Sequence, residues 1–424
     1  MKATTHSDHL LAGEKVSFAE DAARPKATDE ELSSRYAKGD IRIVTESARY
    51  SLASILTMLQ ETVEVEGDPG GKKELRYKLD PEYQRRHRWS VERKSRLIES
   101  FLMNVPVPPV FFYERDLARF EVMDGRQRLT ALSEFYENKF PLEGLQYWPD
   151  LDGRTYSQLP SKVRDGIDRR YISSIILLKE TAASEEQASM LKKMVFERLN
   201  SGGVELSSQE TRNAVHNGPL NQLCLSLSEN ETFRRMWGIP LDPMAGASDE
   251  TDTSDVIDES TNTGKLMFQK MEDVELVLRF FAYRQIDEFR PGLNKISEFL
   301  DRFLAAGNRF PQGVLATYRE MFESTVAFLS AALDNDAYCV IGSSQRPTKI
   351  VYDPMMYVAN SDDVKSAREK LIARKDVLRE ELAAMYQQHR ALFSGRRTNF
   401  ADTQARNAQV KKAFTAAIAK LDRA

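Results

Sequence analysis

Cysteine is almost missing from this chain: in 424 residues only Cys224 and Cys339 occur, far apart and with no CxxC pairing. Neither a disulfide framework nor a cysteine-rich zinc site can be built from them. Histidine is sparse and scattered, at His6, His9, His87, His216 and His389. The HEXXH helix of a metalloprotease and the paired histidines of an HNH-type nuclease therefore have no matching spacing. No run approaches the roughly 18 apolar residues that cross a bilayer, and the opening MKATTHSDHLLAGEK lacks the continuous apolar segment of a signal peptide. The expectation is a cytoplasmic protein without a membrane partner. A dominant charge is also lacking, since 60 Lys and Arg face 64 Asp and Glu for a net charge of -4. That balance neither favours nor excludes a nucleic-acid partner. With 41% hydrophobic and 29% charged residues, the composition is that of an ordinary folded protein.

The length suggests two domains or more, at roughly 100 to 200 residues each. Residues 1–40 show no sustained period and read as a mobile tail. Beyond them, SLASILTMLQ from Ser51 has helical spacing, GDPGGKK from Gly67 is a loop, and LRYKL from Leu75 alternates like a strand. Leu97, Ile98, Phe101 and Leu102 predict a helix from about Val91 to Met103, which should end before Val105-Pro106. PPVFFYE from Pro108 and RFEVM from Arg119 read as strands, and the spacing from Arg126 onward as a helix. YISSIILLKE from Tyr171 suits a buried strand, and Ala188 to Leu199 a helix. Ser207 and Glu210 have the spacing of a capping box. The segment Gly246 to Gly264 carries six acids and no base, the composition of a mobile loop. Beyond Gly264 the pattern is helical, with Ile296, Phe299, Leu300, Phe303 and Leu304 on one stripe and long amphipathic runs from Leu315 and Val364.

Three stretches could carry chemistry. In EVMDGRQRLTAL, Glu121 to Leu132, an Asp-Gly turn stands where an apolar run gives way to a helical pattern. A helix N-terminus attracts anions, and glycine lets a phosphate approach the backbone. Arginine donates in pairs to such a group, so Arg126 or Arg128 could clamp it while the other pairs elsewhere. Asp124 could hold a divalent cation or cap the helix, and Gln127 could orient water. The plainer reading is a turn with solvated arginines. In YQRRHRW, Tyr83 to Trp89, aromatics interleave with charge inside a stretch, Lys72 to Arg96, of ten Lys and Arg against four Asp and Glu. That suits a surface tracking a nucleic-acid backbone, with Arg86, Arg88 and Trp89 as DNA contacts, or a solvated basic face anchored by its aromatics. In VFERLNSGGVELSSQETRNAV, Val195 to Val215, the glycines could form a second anion-binding turn or close one helix before the next is capped.

YQRRHRW, LIESFLMNVPVPPVFF, MDGRQRLTAL and FERLNSGGVELSSQE resemble, in that order and spacing, the DGQQR-motif family. This is the ParB/sulfiredoxin-like domain of GmrSD-type type IV restriction systems and of SspE-like defence proteins. The resemblance implies an α+β, ParB/sulfiredoxin-like domain over residues 41–217, followed by a mainly α-helical domain over 218–424 that contains the acidic loop 246–264. It implies binding and hydrolysis of a nucleoside triphosphate, with magnesium, coupled to recognition or cleavage of foreign DNA. Carried over by motif, Asp124, Gln127 and Arg128 are the catalytic candidates, and Gln84, Arg85, Gly125, Arg126 and Asn200 the nucleotide-binding ones. Arg126 stands where the family has glutamine, which adds charge and leaves the preferred nucleotide open. The C-terminal half has only His216 and His389, so HNH chemistry is not expected. The motif region has no cysteine for sulfiredoxin-like reduction.

The leading expectation is thus a nucleotide-hydrolysing defence protein that senses or acts on DNA. One alternative is a DNA nickase using the same pocket. Another is a non-catalytic DNA-binding or specificity subunit that recruits a partner nuclease, and homo-oligomerisation is open in each case.

Overall fold

The computed structural model describes residues 10–16, 27–38, 43–64, 73–79, 89–179, 185–200, 207–241, 259–288, 296–342, 346–394 and 400–423. Among them, 27–200 form one compact unit, and 10–16 together with 207–423 form another.

The first unit is the expected mixture of helices and strands. Its described elements are α1 (Asp29–Lys38), β1 (Thr45–Ser51), α2 (Ile55–Gln60), β2 (Thr62–Glu64), β3 (Lys73–Leu75), β4 (Tyr77–Lys78), α3 (Val91–Leu102), β5 (Val110–Asp116), β6 (Arg119–Asp124), α4 (Arg126–Tyr136), α5 (Ser161–Asp168), β7 (Tyr171–Leu177) and α6 (Glu185–Asn200). Five strands form a mixed sheet in the order β1-β7-β5-β6-β4. β1 is antiparallel to β7 and β5 antiparallel to β6, whereas β5 runs parallel to β7 and β4 parallel to β6. The charged turn between β5 and β6 permits the tight antiparallel pair, while the parallel pairs need the longer helical connections. Phe112 from the sheet, Ile98 from α3 and Leu129, Leu132 and Phe135 from α4 are fully buried in one core. The apolar stripe of α4 thereby packs its N-terminus at the end of β6.

Leu75 to Leu79 is not the single strand its alternation suggested. β3 pairs with β2 in a separate two-stranded sheet, and β4 joins β6. Arg76 makes the switch: its N–H donates to Glu61 O at 2.8 Å, and its carbonyl accepts from Phe120 N–H at 2.8 Å.

The second unit is all-helical among the described residues. It contains α7 (Ser208–Val215), α8 (Pro219–Leu227), α9 (Glu231–Trp237), α10 (Glu259–Gln269), α11 (Glu272–Ala282), α12 (Ile296–Gly307), α13 (Gln312–Leu333), α14 (Lys349–Ala359), α15 (Asp362–Ala373), α16 (Lys375–Gln388) and α17 (Phe400–Leu421). Phe299, Leu300, Phe303 and Leu304, the stripe of α12, are fully buried. The capping box at α7 forms as its spacing implies: Glu210 N–H donates to Ser207 Oγ at 3.1 Å, and Ser207 N–H to Glu210 Oε2 at 2.7 Å. The motif series runs to residue 217, yet α7 is part of the helical unit. Arg212 is the reason, since its buried guanidinium bonds Asp301 of α12 at 2.7 Å and Glu275 of α11 at 3.0 Å.

Two stretches inside residues 1–40 are ordered elements and not free chain. Asp29–Lys38 is a helix, with three acids in its first turn to complement the helix dipole. Residues 10–16 pack onto the helical unit, where Val16 joins its core and Glu14 is wholly buried. The acidic stretch lies outside the described residues as far as residue 258, and from Glu259 it opens α10.

Candidate functional site

β6 ends at Asp124, and Gly125 turns the chain with φ +92° before α4 starts at Arg126. Two constraints select glycine at this position. The left-handed conformation penalises a side chain, and a Cβ would lie 2.5 Å from Val110 Cγ1 on β5. No side chain caps the N-terminus of α4, so its partial positive charge is not met by a local oxygen of the capping residue.

Arg128, one turn in, folds back toward the turn. Its Nη2 donates to Asp124 Oδ2 at 2.9 Å and to the Pro109 carbonyl at 3.1 Å. Its Nε is buried and has no hydrogen-bond partner among the described residues. A guanidinium held at one nitrogen, with another donor unsatisfied, is suited to take an oxyanion. Asp124 is bonded by Arg128 through Oδ2, and its side chain is 40% exposed. Arg126 occupies the first position of α4 and is half-buried.

Gln127 connects the turn to the end of the YQRRHRW stretch: its Oε1 accepts the Trp89 N–H at 3.3 Å. Trp89 packs against the core, and the Arg93 guanidinium covers its ring at 4.9 Å from the centroid. Ser90 then caps α3 by accepting from Arg93 N–H at 3.2 Å. The structure thus brings Asp124, Gly125, Arg126, Gln127, Arg128 and Trp89 into one neighbourhood. Gln84, Arg85, Arg86 and Arg88 lie outside the described residues. Asn200 is the last residue of α6.

Two supports of the α/β unit are not legible as such in the sequence. Lys192 of α6 donates from Nζ to both oxygens of Glu121 at 2.9 Å, and lies 5.5 Å from the Tyr113 ring centroid. Tyr113 and Glu121 are cross-strand partners on β5 and β6, so the lysine fastens the helix ending at Asn200 to the strand that leads into Asp124. Burial raises the Tyr113 hydroxyl above its ordinary pKa, which keeps that neighbour neutral. The second is Glu99 of α3, which is buried and accepts the N–H groups of Gln146, Tyr147 and Trp148 at 3.2, 2.6 and 3.0 Å. Its one signal is an acid lying one residue from Ile98 on an apolar helix face, with buried Ser95 one turn earlier. Lys192 carries no comparable signal, because its partner is 71 residues away.

Among the described residues, no group of three or more His, Cys, Asp and Glu side chains could hold a metal ion, and no helix is long and apolar enough to cross a membrane. The fold and this turn define an α/β domain that presents an uncapped helix N-terminus and a partly unsatisfied arginine at the end of a strand. Residues 71–217 match the family model of the GmrSD restriction endonuclease, N-terminal domain. A restriction enzyme domain of that type implies a defence role against foreign DNA. No curated protein and no solved structure matches the chain.

Proposed function

We propose that the α/β domain binds a nucleoside triphosphate at the Asp124 to Arg128 turn and hydrolyses it, and that this reaction drives sensing or restriction of foreign DNA. The observation that supports it best is Arg128, whose buried Nε lacks a partner among the described residues and lies beside an uncapped helix N-terminus. A phosphate seated there would meet the positive end of α4 and the charge of the Arg128 guanidinium. Arg126 adds a second cation at the first position of the helix. Charge neutralisation by groups already in place would supply most of the acceleration, as is usual for phosphoryl transfer. Magnesium carried by a triphosphate neutralises phosphate charge, and Asp124, bonded by Arg128 through Oδ2, is the carboxylate of the turn suited to hold it. The basic Lys72 to Arg96 stretch is the proposed DNA contact, with Trp89 among its described residues.

A second reading, nucleotide binding without turnover in a subunit that recruits a partner nuclease, draws on Gln127. Its Oε1 accepts the Trp89 N–H, which ties this side chain to the end of the YQRRHRW stretch. Phosphate release from ATP, GTP, CTP and UTP, with and without DNA, separates the readings when the wild-type chain is compared with Arg128→Ala. Turnover that Arg128→Ala abolishes supports hydrolysis. Saturable nucleotide binding with no phosphate released supports the second reading, and neither binding nor release refutes both. Nicked plasmid produced without any nucleotide would favour a nuclease pocket instead.

A further inference from the structure

Residues 10–16 contact the helical unit in a manner that ordinary tail packing does not explain. The Glu14 side chain is 0% exposed, and its carboxylate accepts hydrogen bonds from Arg284, Tyr318 and the Leu11 backbone. Arg284 donates from Nε to Oε1 at 2.6 Å and from Nη2 to Oε2 at 3.0 Å, a two-pronged grip on the carboxylate. Tyr318 donates its hydroxyl to Oε1 at 2.7 Å, and the segment's own Leu11 N–H donates to Oε2 at 2.7 Å.

The backbone of the segment is read separately. The side-chain amide of Gln285 donates from Nε2 to the Glu14 carbonyl at 2.8 Å, and its Oε1 accepts the Val16 N–H at 2.9 Å. This is the donor-acceptor pairing that a neighbouring strand would offer, supplied by one glutamine. Val16 fills an apolar position in the core, and Gly13, at φ +87°, turns the chain where a Cβ would come within 3.2 Å of Pro311. Charge, backbone polarity, an apolar anchor and a steric limit are thus all matched over seven residues. The receptor groups are 269 or more positions away in the chain, and Arg284, Gln285 and Tyr318 are themselves buried. A buried arginine without its carboxylate would be strongly unfavourable, so the site requires an acidic occupant.

We infer that the helical unit contains a binding site for a peptide segment that carries a single buried carboxylate, formed by Arg284, Gln285 and Tyr318, and that residues 10–16 of the same chain are its ligand. The α/β unit is consequently an insertion within the helical unit: the chain leaves the helical unit after this segment and returns to it at Ser207. Because the ligand is covalently attached, its effective concentration is high, and an added peptide competes poorly with it.

The test uses the full chain. Glu14→Ala with Val16→Ser vacates the site, and a fluorescent peptide of residues 8–18 is titrated onto this variant, onto wild type and onto the variant that also carries Arg284→Met. The expected result is saturable binding to the vacated chain, at least ~10-fold weaker binding to wild type, and loss of binding when Arg284→Met is added. Equal binding to wild type and vacated chain, binding indifferent to Arg284→Met, or no binding to a folded vacated chain overturns the inference. Hydrogen exchange on wild type decides the matter should the vacated chain fail to fold. Protection of the Val16 amide supports the site, and exchange as fast as in the free peptide overturns it.

Discussion

Lys192 holds Glu121 through both carboxylate oxygens at 2.9 Å, with each side chain only 12% exposed. Removing one partner leaves a largely buried charge uncompensated, so Lys192→Met is expected to cost about 2 kcal/mol, less than a fully buried pair because some solvent reaches it. Adding Glu121→Leu should restore part of that loss. Urea unfolding of wild type, both single variants and the double variant measures the coupling. A double variant no more stable than Lys192→Met would show that the ion pair does not fasten α6 to β6.

Gly125→Ala should destabilise the α/β unit by about 2 to 3 kcal/mol, from left-handed strain and from the collision with Val110. Val110→Ala in the same chain should return the part due to collision and leave the strain. Thermal unfolding of the three variants gives the two contributions. Unaltered stability in Gly125→Ala is incompatible with a left-handed turn packed against Val110.

Glu99→Gln should cost about 1.5 to 3 kcal/mol, because a charged acceptor of three N–H groups becomes neutral and loses one acceptor oxygen. The effect is local, so amide exchange at Tyr147 and Trp148 should accelerate more than exchange across the sheet. Unchanged protection at these two amides would contradict the assigned role.

The largely buried Glu275 carboxylate is expected to contribute to the acid limit of the helical unit. Burial pushes its pKa up, but Lys349, Arg212 and Arg279 together outweigh burial and bring it from 4.5 down to about 2. A depressed carboxylate stabilises the fold above its unfolded value, and the contribution disappears as pH falls through the folded value. Stability of on the order of 3 kcal/mol should therefore be intact above about pH 4.5 and lost toward pH 2. Denaturation midpoints of wild type and Glu275→Gln measured across that window should converge at the acid end. Parallel curves would remove Glu275 as the cause.

Neither thiol should react in the folded protein. Burial, with Asp336 nearby, pushes Cys339 up to about 11, and burial alone raises Cys224 well above the ordinary thiol range. Titration with an aromatic disulfide reagent at neutral pH should find no fast thiol before denaturation and both afterwards. A rapid reaction in the native state would place one thiol at the surface.

Much of the candidate site was legible because its determinants are local. The Asp124-Gly125 turn, the start of α4 and the capping box at Ser207 each depend on residues within a few positions, where backbone geometry and hydrogen-bond reach set the outcome. The stripe on α12 was legible for the same reason, since helical periodicity alone decides which side chains share a face. The split of the strand at Arg76 was not, because it depends on two separate backbone partners, Glu61 and Phe120, in different parts of the unit. Gln127 illustrates the boundary: its place beside the turn follows from sequence, whereas its bond to Trp89 depends on how α3 and α4 pack.

The amino-acid sequence by itself determined the α+β and helical regions, the turn at Gly125 and the family motifs, all properties of short-range order and periodic burial. The tertiary structure decided which charges meet: Lys192 with Glu121, Arg212 with Asp301 and Glu275, and Glu14 with Arg284. A buried charge must find its counterion wherever the packed chain brings one. Partners 71, 89 or 270 residues apart leave no mark in the local pattern.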